Sequence, residues 1–204
     1  KNAGEQPLYD VTVKLLRDGV ECDRKEFRFG IRSIELIRSS TTDEKGNGEF
    51  LFKINDKRVF CMGTNWVPLD AFHSRDVEHL PNALAMLDDV GCNMVRCWGG
   101  NAYEDDAFFD FCDEKGIMVW QDFAMGCALY PQDDWFADRL YEEAVAVIRR
   151  LRLHPSLVLW AGDNEVDQAY MVFGGPKRDP NFNRLTREVL PRAVREHDVM
   201  RPFL

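Results

Sequence analysis

Two periods of hydrophobicity divide the chain. Through residue 54 apolar and polar positions alternate: Tyr9, Val11, Val13 and Leu15 fall two apart, Asp18-Gly19 interrupts them, and Phe27, Phe29 and Ile31 resume the pattern. A period of two puts successive side chains on opposite faces of a strand, so this part is predicted to be all-β. Residues 41–48 are polar and glycine-bearing and predict a hairpin loop, with Phe50, Phe52 and Ile54 on the strand after it. Asn55-Asp56-Lys57 predicts a second turn.

From residue 59 onward strand-like runs alternate with helical spacing. Residues 59–63 form the first predicted strand, followed by a helix with Val77, Leu80, Leu84 and Leu87 on one face and Gly91 at its C-terminal cap. Residues 93–98 form the second strand, 105–115 a helix capped by Gly116, and 117–120 the third strand. A third helix, 135–153, stops at His154-Pro155, because the residue before a proline is pushed out of the α region. Residues 157–161 then form the fourth strand, and 183–196 a fourth helical region. Repeated βα units imply a parallel sheet with right-handed crossovers. A closed (β/α)8 barrel takes about 250 residues, so residues 55–204 predict an α/β fold, the N-terminal half of a TIM barrel, with a fifth strand beginning near Arg201-Pro202-Phe203-Leu204. A complete four-stranded doubly wound domain is the alternative. Against it, Gly63-Thr64-Asn65-Trp66 is too bulky a turn to cradle a pyrophosphate.

At 204 residues and 45% hydrophobic content, the chain has enough apolar material for a substantial core. A formal charge of -9 and a pI near 5.0 oppose binding to nucleic acid or anionic membranes and favour a neutral substrate. No apolar run approaches the roughly 20 residues of a membrane span, and residues 1–7 lack the apolar stretch of a signal peptide. Cys22, Cys61, Cys92, Cys97, Cys112 and Cys127 show no Cys-x-x-Cys spacing, which predicts buried thiols and fits a reducing cytoplasm. His73, His79, His154 and His197 fall at no metal-ligand spacing, so neither a metal nor another cofactor is expected.

Barrel chemistry gathers at the C-terminal ends of parallel strands, which makes the apolar run 157–161 and the Asn164-Glu165 pair beyond it the best clue to function. A carboxyl at Glu165 can protonate a leaving oxygen while Asn164 holds a ligand hydroxyl; the competing reading is a helix N-terminal carboxylate. Alternation places Met94, Arg96 and Trp98 on one face and Val95 and Cys97 on the other. An inward Arg96 either orients a carboxylate or forms a structural ion pair. Trp98 before Gly99-Gly100 suits stacking on a sugar face, with core packing as the alternative. Trp120-Gln121-Asp122 repeats an aromatic, an amide and a carboxylate, with Asp122 as a ligand contact or a loop cap. Asn65 and Trp66 bring a similar mixture to the end of the first strand, and such rims around one opening suggest a carbohydrate pocket.

These motifs, with Asn65-Trp66-Val67-Pro68, Asn93 to Gly100, Trp120-Gln121-Asp122-Phe123, His154-Pro155-Ser156-Leu157 and Gly162-Asp163-Asn164-Glu165 in order, resemble the β-mannosidases of glycoside hydrolase family 2. The resemblance implies that residues 1–54 are the end of an immunoglobulin-like β-sandwich and 55–204 the first four βα units of a barrel. It implies a retaining exo-mechanism on terminal β-D-mannose. Glu165 takes the acid/base role, Asn164 contacts the 2-hydroxyl and Arg96 positions the nucleophile. Trp98 lines the sugar subsite, while Trp66 and Asp122 lie near the same opening. The family's nucleophile belongs to strand seven, so residues 1–204 alone are expected to be inactive. Asn101 stands where another glycine is usual, and Asp163 where asparagine is usual. Other family 2 specificities, exo-β-glucosaminidase or β-galactosidase, and a non-catalytic carbohydrate-binding or structural module are the competing functions.

The expected partners are a β-mannoside and the remaining half of the barrel. A half-barrel leaves a strand edge and an apolar interior open, so residues 1–204 alone are predicted to self-associate. Gel filtration checks this, with elution above the 23.6 kDa monomer mass as the expected outcome.

Overall fold

A computed structural model describes residues 4–39, 48–173 and 179–204. Strands β1 (Tyr9–Arg17) and β2 (Val20–Phe29) form an antiparallel hairpin around Asp18-Gly19, both at positive φ. Val13, Leu15 and Val20 are exposed, and Ile31 falls beyond the strand. Strands β3 (Ile34–Arg38), β4 (Phe50–Ile54) and β5 (Lys57–Val59) form a second antiparallel sheet. Most of the hairpin loop expected at 41–48 lies outside the described residues. The Asn55-Asp56 turn is present, with φ of 50° and 63°, the left-handed pair that matches the twist of a tight hairpin.

The C-terminal part is a four-stranded parallel sheet flanked by helices. In chain order it runs through β6 (Gly63–Trp66), α1 (Asp76–Asp89), β7 (Met94–Cys97), α2 (Asp106–Lys115), β8 (Met118–Asp122), α3 (Asp134–Leu151), β9 (Leu157–Ala161), α4 (Val166–Phe173) and α5 (Leu190–His197). Strand order is β6-β7-β8-β9, and Phe203 and Leu204 add a parallel step beside Trp160. Sequential order without reversal removes the doubly wound alternative, which needs a topological switch point. The fold is the first half of a TIM barrel, preceded by antiparallel strands.

Four elements differ from expectation. The first parallel strand is Gly63–Trp66, not 59–63, because Lys57–Val59 completes the antiparallel hairpin with β4. The link between them is held by Asn93, whose side chain accepts from Met62 N and donates to Phe60 O, both at 2.8 Å. Strand β8 runs to Asp122, two residues beyond the predicted end, which brings Gln121 and Asp122 into the pleat. Helix α4 was absent from the sequence reading. Asp163 Oδ1 accepts from Val166 N at 3.1 Å and starts it, while Val166, Ala169 and Tyr170 form its buried stripe. The region predicted at 183–196 divides into a π-helical segment, Leu185–Val189, and α5. The glycine caps stand as expected, with φ of 76° at Gly91 and 64° at Gly116.

The parallel sheet has two buried faces. On the helix side, Val95, Cys97, Val119, Leu157 and Trp160 meet Phe108, Phe109, Leu140, Ile148 and Leu151 in one cluster. On the other side, Met94, Met118, Val158 and Leu159 meet Phe52, with Ile34, Ile54 and Val59 around them. The β3–β5 sheet thus covers the lower inner face of the half-barrel. A register shift between Val119 and Trp120 turns two consecutive residues, Val158 and Leu159, toward the same cluster.

Phe108 is 0% exposed and packs against Trp66 and Phe109. Phe108→Ala is predicted to destabilise the fold by about 3–5 kcal/mol, whereas Val77→Ala, on the exposed face of α1, should stay within about 0.5 kcal/mol. Urea denaturation of the two variants measures the difference.

Candidate active site

Register along the parallel strands sorts the inner face into layers. Gly63, Met94 and Met118 lie side by side at the lower level, and Asn65, Arg96 and Trp120 one pleat higher. The lower level is sealed by Phe52, while the upper one is polar. Pleating therefore delivers polar side chains only toward the C-terminal ends of the strands.

At the centre is Asp122, whose side chain is fully buried. Its Oδ2 accepts from Arg96 Nη2 at 2.5 Å and from Gly99 N at 3.0 Å; its Oδ1 accepts from Arg96 Nε at 3.2 Å and from Trp120 Nε1 at 3.0 Å. The fork-on-carboxylate geometry holds the guanidinium in one orientation, and the Trp120 ring lies 5.7 Å from it. Burial raises the Asp122 carboxyl above the ordinary carboxylate range, while Arg96, Gly99 N–H and the Trp120 indole oppose the rise. Of the two sequence readings of Asp122, a loop-cap role is reduced to its bond with Gly99; its main partner is Arg96.

Arg96 also reaches outward, donating from Nη2 to Asn164 Oδ1 at 3.0 Å and from Nη1 to Asn65 Oδ1 at 3.5 Å. One guanidinium joins the ends of all four strands. Asn164 is further fixed by main-chain bonds to the loop after β8, with Asn164 N donating to Met125 O at 2.9 Å and Cys127 N to Asn164 O at 2.8 Å. Gly99 permits this approach, since a Cβ there would lie 2.5 Å from Met125 O.

Glu165 is exposed and sits at φ 57° directly before α4. Its carbonyl accepts from Ala169 N, so its backbone does begin the helix. The side-chain cap comes from Asp163 instead, and the Glu165 carboxyl turns toward Cys127, whose Sγ lies 3.4 Å from Oε2. Cys127 Sγ in turn accepts from Asn164 Nδ2 at 3.3 Å. The resulting array can present a carboxyl group, an amide and a guanidinium to one ligand.

Trp98 is half-buried, with its ring lying over Gly100. Trp66 is not at the opening. It is 5% exposed on the helix side, with its ring 4.9 Å from Phe108 and its indole donating to Glu104 Oε1 at 2.9 Å. Alternation explains the correction: with Asn65 facing inward, its neighbour must face the helices. Gln121 is likewise buried between sheet and helices, beside inward Asp122. Sequence reading missed Asn65 and Trp120 as individual partners, although the same alternation contained the signal. It missed Cys127 because only the folded loop carries that residue to Glu165.

Two other features lie at the opposite end of the sheet. A cavity of about 190 Å³ is bordered by Ile54, Met118, Pro155 and Ser156, and no sequence-predicted site residue lines it. Asp110, Asp113 and His154 place ligand-type atoms within 4.8 Å of one another. Asp113 is already engaged there, accepting from Ser156 N at 2.8 Å and meeting His154 Nδ1 at 2.7 Å, which is the geometry of a structural pair.

No family model matches the chain. Goat β-mannosidase is 41% identical over 83% of the chain and 19% of its own length; cattle β-mannosidase is 39% identical over 98% and 24%. The crystal structure of a β-D-mannosidase from Dictyoglomus thermophilum superposes with a TM-score of 0.89 at 41% identity, over 98% of the chain and 25% of that structure. Over this span the chain is similar in sequence and structure to β-mannosidases. It spans about a quarter or less of the length of these relatives. Within that span the likeness covers the antiparallel strands as well as the half-barrel.

Removing the Asp122 carboxylate leaves Arg96 without its main counter-charge in a partly buried site. Asp122→Ala is predicted to cost about 3 kcal/mol in unfolding free energy, measured by chemical denaturation, with Arg96→Met at least as costly because it strands the fully buried Asp122 carboxyl without its counter-charge.

Proposed function

We propose that this chain supplies the acid/base half of a retaining exo-β-mannosidase acting on terminal, non-reducing β-D-mannose. The observation carrying the proposal is the carboxyl of Glu165 just beyond β9, beside an Asn164 whose side chain Arg96 holds. Similarity to goat and cattle β-mannosidases at about 40% identity supports the choice of reaction class.

In this reading Glu165 donates a proton to the glycosidic oxygen as the bond to the anomeric carbon breaks. A second carboxylate, supplied from outside these 204 residues, attacks that carbon and forms a glycosyl-enzyme ester. Glu165, now a carboxylate, takes a proton from water, and the hydroxide so developed displaces the ester and frees mannose with retained configuration. Asn164 binds the 2-hydroxyl, Trp98 stacks on the ring, and Arg96, fixed by Asp122, orients the attacking carboxylate. No metal or other cofactor enters the sequence. Cys127, 3.4 Å from the Glu165 carboxyl, is close enough to affect its hydrogen bonding.

In the full-length protein, Glu165→Gln is predicted to lower kcat on an unactivated β-mannoside by about 10²–10⁴-fold, because general acid–base assistance is lost. Unchanged turnover would remove Glu165 from the acid/base role. A panel of aryl β-glycosides tests sugar choice: mannoside is expected to be preferred, while a glucosaminide or galactoside preference would identify another family 2 specificity. Binding of mannosides without turnover would identify a non-catalytic module.

A further inference from the structure

Asn101 follows two glycines in the loop that carries Trp98, a segment whose backbone is intrinsically free. Its own contacts restrict that freedom. Asn101 N donates to Trp98 O at 3.0 Å and closes a turn, while its side-chain Oδ1 accepts from Ala102 N at 2.8 Å. Its Nδ2 donates to Glu104 Oε1 at 2.9 Å. That same oxygen accepts the Trp66 indole N–H, also at 2.9 Å, so one buried carboxylate ties the loop to the core behind β6. Glu104 is anchored independently, because its carbonyl accepts from Arg150 Nη1 at 2.9 Å.

The tether bears directly on the tryptophan. A Cβ at Gly100 would stand 2.2 Å from the Trp98 ring, so the indole rests on the backbone of residue 100. Gly99 N is bonded to Asp122 on one side of this platform, and Asn101 to Glu104 on the other. Loss of the second tether would let residue 100 shift, and the ring with it. Burial raises the Glu104 carboxyl, and the Trp66 and Asn101 donors oppose that rise, so both donors are electrostatically matched to the acceptor.

We propose that Asn101 is a positioning residue that, through Glu104 and Trp66, holds the Trp98 indole at the angle required to stack on the sugar. The inference rests on the glycosidase reading above. It assigns a role in sugar binding to Asn101, and to Trp66 and Glu104 behind the opening.

The test uses the full-length protein and an aryl β-mannoside, with Trp98→Ala as the reference. Asn101→Ala is expected to raise KM about tenfold while kcat stays within about twofold, since a hydrogen bond to a charged acceptor is lost and the acid/base is untouched. Asn101→Asp keeps the shape but cannot donate when ionised and adds a like charge beside Glu104, so its KM should exceed that of the alanine variant. This order separates a donor role from simple filling of space. If Trp98→Ala raises KM while both Asn101 variants keep the wild-type value, the inference fails and the sugar-binding reading survives. If Trp98→Ala leaves KM unchanged, the stacking role falls and the inference with it.

Discussion

The buried carboxylate of Asp122 is the constraint on which the upper half of the barrel face depends. A side chain with no exposed surface cannot carry charge there without donors, and four N–H groups from three places meet it: Arg96, Trp120 and the Gly99 amide. Each bond fixes something else in turn. Arg96 is oriented toward Asn164 and Asn65, the loop carrying Trp98 is held at its start, and Trp120 is locked beside the guanidinium. A charge needing satisfaction thus becomes a rigid platform at the strand ends.

The same sheet solves a different problem one pleat lower. Met94, Met118, Val158 and Leu159 face Phe52 and the β3–β5 sheet, so the interior of this half-barrel is apolar at its base and polar toward the opening. The gradient follows from period-two alternation combined with in-register parallel pairing. It also sets which loops can do chemistry, because only those after the C-terminal strand ends meet polar groups. The 190 Å³ cavity near Pro155 lies at the other end and is lined mainly by the junction between the antiparallel strands and the barrel.

Much of this architecture was legible from local patterns. Strand 157–161 matched expectation because a continuous apolar run buried on both faces has few alternatives, and helix α2 matched to within a residue because Gly116 can accept the left-handed cap. Hairpin formation by Lys57–Val59 was harder to see. An apolar run across 59–63 fits either sheet, and the choice was made by pairing with β4 and by the reach of Asn93. Helix α4 is short and follows the strand almost at once, leaving little periodicity to read, although Asp163 three residues before Val166 was a capping signal.

The candidate site divides in the same way. By itself the sequence determined that Glu165 and Asn164 follow a buried strand, that Arg96 and Asp122 lie near strand ends, and that residues two apart share a face, because these follow from covalent order and pleating. Tertiary structure decided which of those groups meet. It joined Arg96 to Asp122 across adjacent strands, brought Cys127 to Glu165 by folding back the loop after β8, and turned Trp66 away to donate to Glu104. These contacts depend on strand register and loop path, which arise from packing among residues distant in sequence and are not encoded in any local period.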